Sequence, residues 1–198
     1  MNILIVTGNP KKVNHTDAIA TVYMDTARKA GHEVQLINVY DPEFSLPYMS
    51  FDEDNLDEEH TAKITKMHEM VTWANEIVIV QPIWWASMPA GLKNWADAIF
   101  VPRFAYKYNP DGSVQKLLTG KTAKVFATAG SHAPYYMIPI ISFFTPLHLV
   151  WNYAIFGFCG ITMVEMIVQD KMNTNNSCPP EGCFENFLKK IRVSATKH

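Results

Sequence analysis

Ile77-Val78-Ile79-Val80-Gln81-Pro82-Ile83-Trp84-Trp85-Ala86-Ser87-Met88-Pro89-Ala90-Gly91-Leu92-Lys93-Asn94-Trp95-Ala96-Asp97 is the stretch around which the rest of the chain is organised. Its first four residues are apolar and β-branched, as expected of a strand buried on both faces. Pro82 has no N–H to give to a ladder, so the strand stops there. Pro89 suits a first helical turn, with Ser87 as its cap, and Leu92, Trp95 and Ala96 then recur at helical spacing. A buried strand thus runs into an aromatic loop at its C-terminal edge, and a helix leaves from that loop. In open α/β sheets this edge is where ligands bind. Trp84 and Trp85 offer flat faces to a flat ligand; the alternative is that both pack in the core.

Outward from this segment, strands and helices alternate. Asn2–Thr7 reads as a first buried strand, followed by the turn cluster Gly8-Asn9-Pro10 and a polar loop, Lys11 to Thr16. A helix from about Asp17 to Ala30 follows, ended by Gly31. Strand, small polar loop and helix make an anion site, because free N–H groups and the positive helix end face the ligand. Asn14 and Thr16 supply donors there, and Lys11 or Lys12 adds charge; the other reading is that Asn14 or Thr16 only caps the helix. Glu33–Val39 reads as strand two, and Glu58–Ala74 as a helix with Ile64, Met67, Met70 and Val71 inward. The acids Asp52, Glu53 and Asp54 read as a solvated face. Phe104–Leu118 suggests a hairpin-like excursion turning at Asn109-Pro110-Asp111-Gly112. Lys121–Thr128 is strand four and runs into Ala129-Gly130-Ser131. Ile161–Val168 is strand five after a turn at Gly157 and Gly160, and Pro180–Val193 is a last helix.

Five strands alternating with helices predict one α/β domain over residues 1–198, a doubly wound five-stranded parallel sheet. In the order 2-1-3-4-5 strands one, three and four are adjacent, so their loops meet at the switch point. That cleft has an anion cradle at Gly8–Thr16, an aromatic wall at Pro82, Ile83, Trp84, Trp85 and Ala86, and a floor of small residues at Thr128, Ala129, Gly130 and Ser131. A planar ring system carrying a phosphate fits it, and flavin mononucleotide (FMN) is the natural candidate.

Composition narrows the alternatives. The 198 residues, 48% of them hydrophobic, suffice for one sizeable core. A net charge of −2 argues against a broad nucleic-acid footprint. The low, odd count of three cysteines suits a cytoplasmic protein rather than a disulfide framework, and no ligand set for a metal is complete. The N-terminus reads as free of a signal peptide. From Ala133 to Val164 no residue carries a formal charge with His148 neutral, yet Pro139, Pro146, His148 and Asn152 interrupt the run. A bilayer span wants about 20 mainly apolar residues without such breaks, so a homodimer interface beside the cleft is the expectation.

The segment Gln81–Asp97 resembles the Q-x-P-L-x-W-x-x-x-P-A-x-L-K-x-W-x-D run of the flavodoxin-like NAD(P)H dehydrogenase (quinone) family, which includes FMN-dependent azoreductases. Phe104–Tyr108 with Leu117–Lys121 resembles that family's insertion, and Phe158–Ile161 its run into strand five; the likeness extends from Met1 to about Val168. In the first loop Asn9 and Asn14-His15-Thr16 stand where relatives have His and Ser-Phe-Asn. Thr128-Ala129-Gly130-Ser131 stands where relatives have Thr-x-Gly-Gly. The resemblance implies a flavodoxin-like fold, FMN as cofactor with FAD as the alternative, NAD(P)H as donor, and two-electron reduction of quinones or similar acceptors in two alternating half-reactions. It implies phosphate binding by Asn9, Asn14, His15 and Thr16. Tyr135 or Tyr136 resembles the family tyrosine facing substrate, and either of them or His132 is placed to donate a proton. A flavin-bearing electron-transfer or regulatory subunit without turnover of its own is the second reading.

Overall fold

Every residue of Glu76–Pro82, the central strand, is buried. The computed structural model describes residues 1–49, 57–130, 144–172 and 182–197. Along them run β1 (Asn2–Thr7), α1 (His15–Lys29), β2 (Glu33–Asn38), α2 (Glu58–Trp73), β3 (Glu76–Pro82), α3 (Ala90–Ile99), β4 (Tyr106–Tyr108), β5 (Val114–Lys116), β6 (Thr122–Thr128), α4 (Phe144–Leu149), a π-helix (Val150–Gly157), β7 (Thr162–Gln169) and α5 (Cys183–Ser194). The sheet is parallel throughout, in the order β2-β1-β3-β6-β7. With the separate hairpin β4–β5 set aside, this is the order expected from the sequence.

Alternation along β3 divides the core. Ile77 and Ile79 face one layer with Met67 and Val71 of α2, Leu92 and Trp95 of α3, and Trp151 of the π-helix. Val78 and Val80 face the other, with Ile19 and Tyr23 of α1 and Phe187 and Ile191 of α5. A strand covered on both sides can be apolar at every position, which is why β3 reads as one hydrophobic run. Each such side chain contributes about 1.5–3 kcal/mol of burial.

The uncharged segment departs from its expected turn at Gly157. That glycine ends the π-helix, where an added Cβ would stand 2.6 Å from the Asn152 carbonyl oxygen. Gly160, at φ +95°, makes the turn. The i→i+5 geometry of a π-helix also puts residues five apart over one another. Trp151 and Phe156 accordingly stack, with ring centroids 5.0 Å apart at 26°. Among the described residues no helix is long and apolar enough to cross a membrane. The run Asp52-Glu53-Asp54 lies outside the described residues.

A buried ionic group ties α5 to the N-terminal edge of the sheet. Lys124 Nζ lies 3.2 Å from a Glu76 carboxylate oxygen and donates to the carbonyls of Ser194 (2.8 Å) and Lys197 (2.9 Å). The Tyr23 hydroxyl donates to Glu76 at 2.6 Å. Burial, then the Glu76 charge, drives the Tyr23 pKa far above the ordinary phenol value. Cys159 is a buried free thiol, whereas Cys183 is disulfide-bonded, which the low cysteine count gave no reason to expect.

Candidate functional site

The loops after β1, β3 and β6 leave adjacent strands and are stitched together at their bases. Gly8 N–H donates to the Val80 carbonyl (3.1 Å), Ile83 N–H to Thr128 (2.7 Å) and Ala129 N–H to Gln169 (2.8 Å). Gly8 also lies against α3: a Cβ there would come within 2.7 Å of Leu92 Cβ.

In the first loop Asn9 braces both sides. Its Oδ1 accepts from Lys11 N–H (3.1 Å) and its Nδ2 donates to Thr16 Oγ1 (3.2 Å), with Thr16 fully buried. Asn14 is the helix cap. Its Oδ1 accepts from Asp17 N–H (2.9 Å), and its Nδ2 donates to the Asp17 carboxylate (2.8 Å) and to the Lys11 carbonyl. The Asn14 side chain is therefore engaged within the loop, as the capping reading expected, and the helix begins two residues earlier than the sequence suggested. The first-turn N–H groups of a helix lack intrahelical acceptors and carry the positive end of its dipole; here Asn14 Oδ1 takes that of Asp17. Lys11 and Lys12 are exposed beside it. Burial raises the Asp17 pKa, against the lowering hydrogen bond from Asn14, which softens the one acidic group in this turn. The His15 ring packs edge-on against Phe184 of α5, centroids 4.7 Å apart.

The loop after β3 is a tight turn. Trp84 N–H donates to the Ser87 carbonyl (3.0 Å) and Ser87 N–H to that of Trp84 (2.9 Å). Between them Trp85 and Ala86 have φ of 51° and 60°. Left-handed backbone at both central positions is the type I′ turn, which favours Asn-Gly because a Cβ is crowded there. Neither residue is glycine, and each carries strain of about 1–2 kcal/mol. The turn lifts the indoles out of the protein: Trp84 is 45% exposed and Trp85 fully so, at 101%. The alternative of core packing is thereby overturned. So is Ser87 as a helix cap, since its backbone closes the turn and α3 starts after Pro89 with no side-chain cap.

Another element caps α3 instead. The Tyr40 hydroxyl, from the loop after β2, accepts from Gly91 N–H at 3.1 Å. A Cβ at position 91 would meet that ring at 2.7 Å. One turn on, Asn94 donates to the carbonyls of Leu46 (3.3 Å) and Pro47 (2.9 Å) and accepts from Met49 N–H (2.8 Å). Tyr40 and Asn94 thus clamp the 41–49 loop to the helix that carries the tryptophan turn. Sequence reasoning missed both, because their partners lie 45 to 51 residues away.

After β6, Thr128 and Ala129 are buried, and the Ala129 carbonyl accepts from Met172 N–H at 2.9 Å. Gly130 lies beside Met172, where a Cβ would be in ordinary contact with the carbonyl oxygen at 3.4 Å. Ser131, His132, Tyr135 and Tyr136 lie outside the described residues. Among the described residues no cluster of three metal-ligating side chains occurs. The result is a helix N-terminus with adjacent lysines, a projecting aromatic turn and a small-residue floor at one sheet edge. A phosphate fits the first, a flat ring the second and third.

A family model described as the flavodoxin-like fold matches residues 1–191. An uncharacterized NAD(P)H oxidoreductase of Haemophilus influenzae is 30% identical over 168 residues, spanning 83% of this chain and 81% of that protein. An FMN-dependent NADH:quinone oxidoreductase of Coprothermobacter proteolyticus is 25% identical over 185 residues, spanning 86% and 87%. The crystal structure of Smu.1420 from Streptococcus mutans UA159 matches with a TM-score of 0.80 and 25% identity, covering 99% of both chains.

Proposed function

The chain belongs to the flavodoxin-like fold family, and from that premise we propose that it is a flavin-dependent NAD(P)H oxidoreductase, with FMN as its cofactor, that reduces quinones or similar aromatic acceptors by two electrons. The observation that carries this reading is the fully exposed Trp85, held on a glycine-free turn between an anion-type helix start and a small-residue floor. Bound FMN supplies the redox chemistry, through which NAD(P)H is oxidised and the acceptor reduced.

The chain's own residues bind, orient and shield. Asn9, Thr16, the N–H groups at the start of α1 that Asn14 leaves unused, and Lys11 or Lys12 would hold the phosphate, with Asn14 keeping the turn open and His15 flanking it. Pro82, Ile83, Trp84, Trp85 and Ala86 would border the ring, with Thr128, Ala129 and Gly130 as its floor; Ser131, which the sequence adds to that floor, lies outside the described residues. Trp84 and Ser87 N–H groups close the turn, while those of Trp85 and Ala86 have no partner among the described residues. They would donate to the bound ring and favour negative charge there. In this reading donor and acceptor would use one face in turn, and Tyr135, Tyr136 or His132 would donate the proton to a quinone oxygen.

The protein acts as a cytoplasmic homodimer that buries part of Ala133–Val164 beside the cleft. Exposed Leu149 and Tyr153 in that segment support this reading. Light scattering without detergent checks it, and a 22.5 kDa species at micromolar concentration contradicts it. The function is tested by the absorption spectrum of the purified protein, acid release of its flavin, and NAD(P)H oxidation with a benzoquinone. Released FMN together with acceptor-dependent NAD(P)H oxidation is the expected result. Tight flavin with negligible NAD(P)H turnover identifies an electron-transfer or regulatory subunit instead, and released FAD corrects the cofactor.

A further inference from the structure

Behind the tryptophan turn, three polar side chains are buried without matching partners. Gln81 is wholly inaccessible, and period-two alternation along β3 turns it the same way as Ile77 and Ile79. That layer also holds Trp95 of α3 and Trp151 of the π-helix, both buried. Among the described residues neither the Gln81 amide oxygen nor its nitrogen has a hydrogen-bond partner, and neither does the Nε1–H of Trp95 or of Trp151. The three groups do not bond to one another either.

Donor and acceptor numbers decide what they need. The Gln81 NH2 and the two indoles bring four N–H donors, against one carbonyl oxygen with two lone pairs. No repacking of these three side chains matches all four donors, so an acceptor has to come from outside the set. A water molecule accepts two hydrogen bonds and donates two, and buried waters occupy sites with this kind of polar lining. An indole N–H then goes to the water oxygen, and a water O–H goes to Gln81 Oε1.

We propose that this layer contains an internal water site in which Gln81 and at least one of the two indole N–H groups bind the same ordered water, and that the site braces the tryptophan turn from behind. Gln81 lies on β3 just before the turn and Trp95 on α3 just after it, while Trp151 belongs to the same hydrophobic layer. The site therefore ties together the two elements from which Trp84–Ser87 is suspended. Gln81, Trp95 and Trp151 are positioning residues in this account. Only the optical part of the test rests on the flavin reading.

The test uses the full-length protein as purified. In 15N-labelled protein, the indole protons of Trp95 and Trp151, assigned through Trp95→Phe and Trp151→Phe, are examined for NOE cross-peaks to water with the sign of a long-lived bound molecule. At least one such peak is expected, and its absence from both indoles overturns the proposal. Gln81→Leu is expected to abolish the peak, to lower the folded-to-unfolded ratio about tenfold or more, and to change the fluorescence of bound flavin. A Gln81→Leu protein as stable as the parent, or one retaining the peak, also overturns it, because an unmatched amide in a dry core is replaced by leucine at little cost. If Gln81→Leu does not fold, the parent's water peaks decide. A protein that binds no flavin but shows the peaks refutes the flavin reading and leaves the water site standing.

Discussion

Replacing Ala86 by glycine tests whether the tryptophan turn is strained. Ala86 sits at φ 60° as the second central residue of the turn. An alanine in left-handed backbone is disfavoured by about 1–2 kcal/mol. Glycine removes that crowding but makes the unfolded chain more flexible, at roughly 0.5–1 kcal/mol. The Ala86 side chain is only partly buried, so losing one methyl costs little packing. The net expectation is a stabilisation of about 0.5–1 kcal/mol, which for a chain of this length raises the unfolding midpoint by roughly 1–4 °C. Urea unfolding of the flavin-free protein, with an unchanged m-value, measures it. Ala86→Val should do the reverse by more than 1 kcal/mol, because a β-branched residue tolerates positive φ least. If Ala86→Gly lowers stability by 0.5 kcal/mol or more, the backbone there is not strained and the reasoning fails.

Lys124→Met removes the cation 3.2 Å from a buried carboxylate; a loss of about 3–5 kcal/mol in urea unfolding is expected, and adding Glu76→Gln should return part of it. Asn14→Ala should lower stability by about 0.5–2 kcal/mol through loss of the cap; flavin titration should show a smaller effect than Thr16→Ala, since the Asn14 side chain is spent on the helix. His68 stacks on Phe104 with centroids 3.7 Å apart, and burial lowers its pKa from the usual 6.5 against a raising hydrogen bond to the Ile99 carbonyl. A base with a depressed folded pKa favours the folded state fully above its unfolded value and loses that contribution as pH falls below about 6.5 toward the folded pKa. Unfolding midpoints from pH 7 to 5 should therefore fall less steeply in His68→Gln than in the parent. Trp85→Ala should weaken flavin binding or shift flavin fluorescence while leaving stability within about 0.5 kcal/mol, because a fully exposed indole gives the fold almost no burial.

The sheet was legible because its strands are the least conditional part of the sequence. Ile77 to Val80 is apolar at every position, and only a parallel strand covered on both faces makes that pattern stable. The loops leaving β1 and β6 followed from turn chemistry at Gly8-Asn9-Pro10 and Ala129-Gly130. Asn14 was visible as a cap or a donor, but only its bonds to Asp17 decide between them. Tyr40 and Asn94 were invisible, since a tyrosine hydroxyl serving as the cap of a helix 51 residues later has no local signature. The π-helix was equally hidden: its Trp151–Phe156 stack joins residues that an α-helix would point apart.

The misreadings around the tryptophans have a common cause. Pattern reasoning assumes that local preference and tertiary structure agree, and it fails where they conflict. Trp85-Ala86 occupies a turn that prefers Asn-Gly, so the sequence gives no type I′ signal there, and Ser87 next to Pro89 imitates a helix cap. Such a conflict persists only where the surroundings over-determine the backbone. Here they do so through the paired Trp84–Ser87 hydrogen bonds, the Ile83–Thr128 bond at the base of the turn, and α3 fixed from outside by Tyr40 and, through Asn94, by the 41–49 loop. Glycine at position 86 would satisfy the turn more cheaply but would loosen the segment that presents Trp85. A strained turn that holds a bare indole away from the core serves the fold poorly, so the same local conflict that hides the turn from the sequence supports its proposed place beside a flat ring.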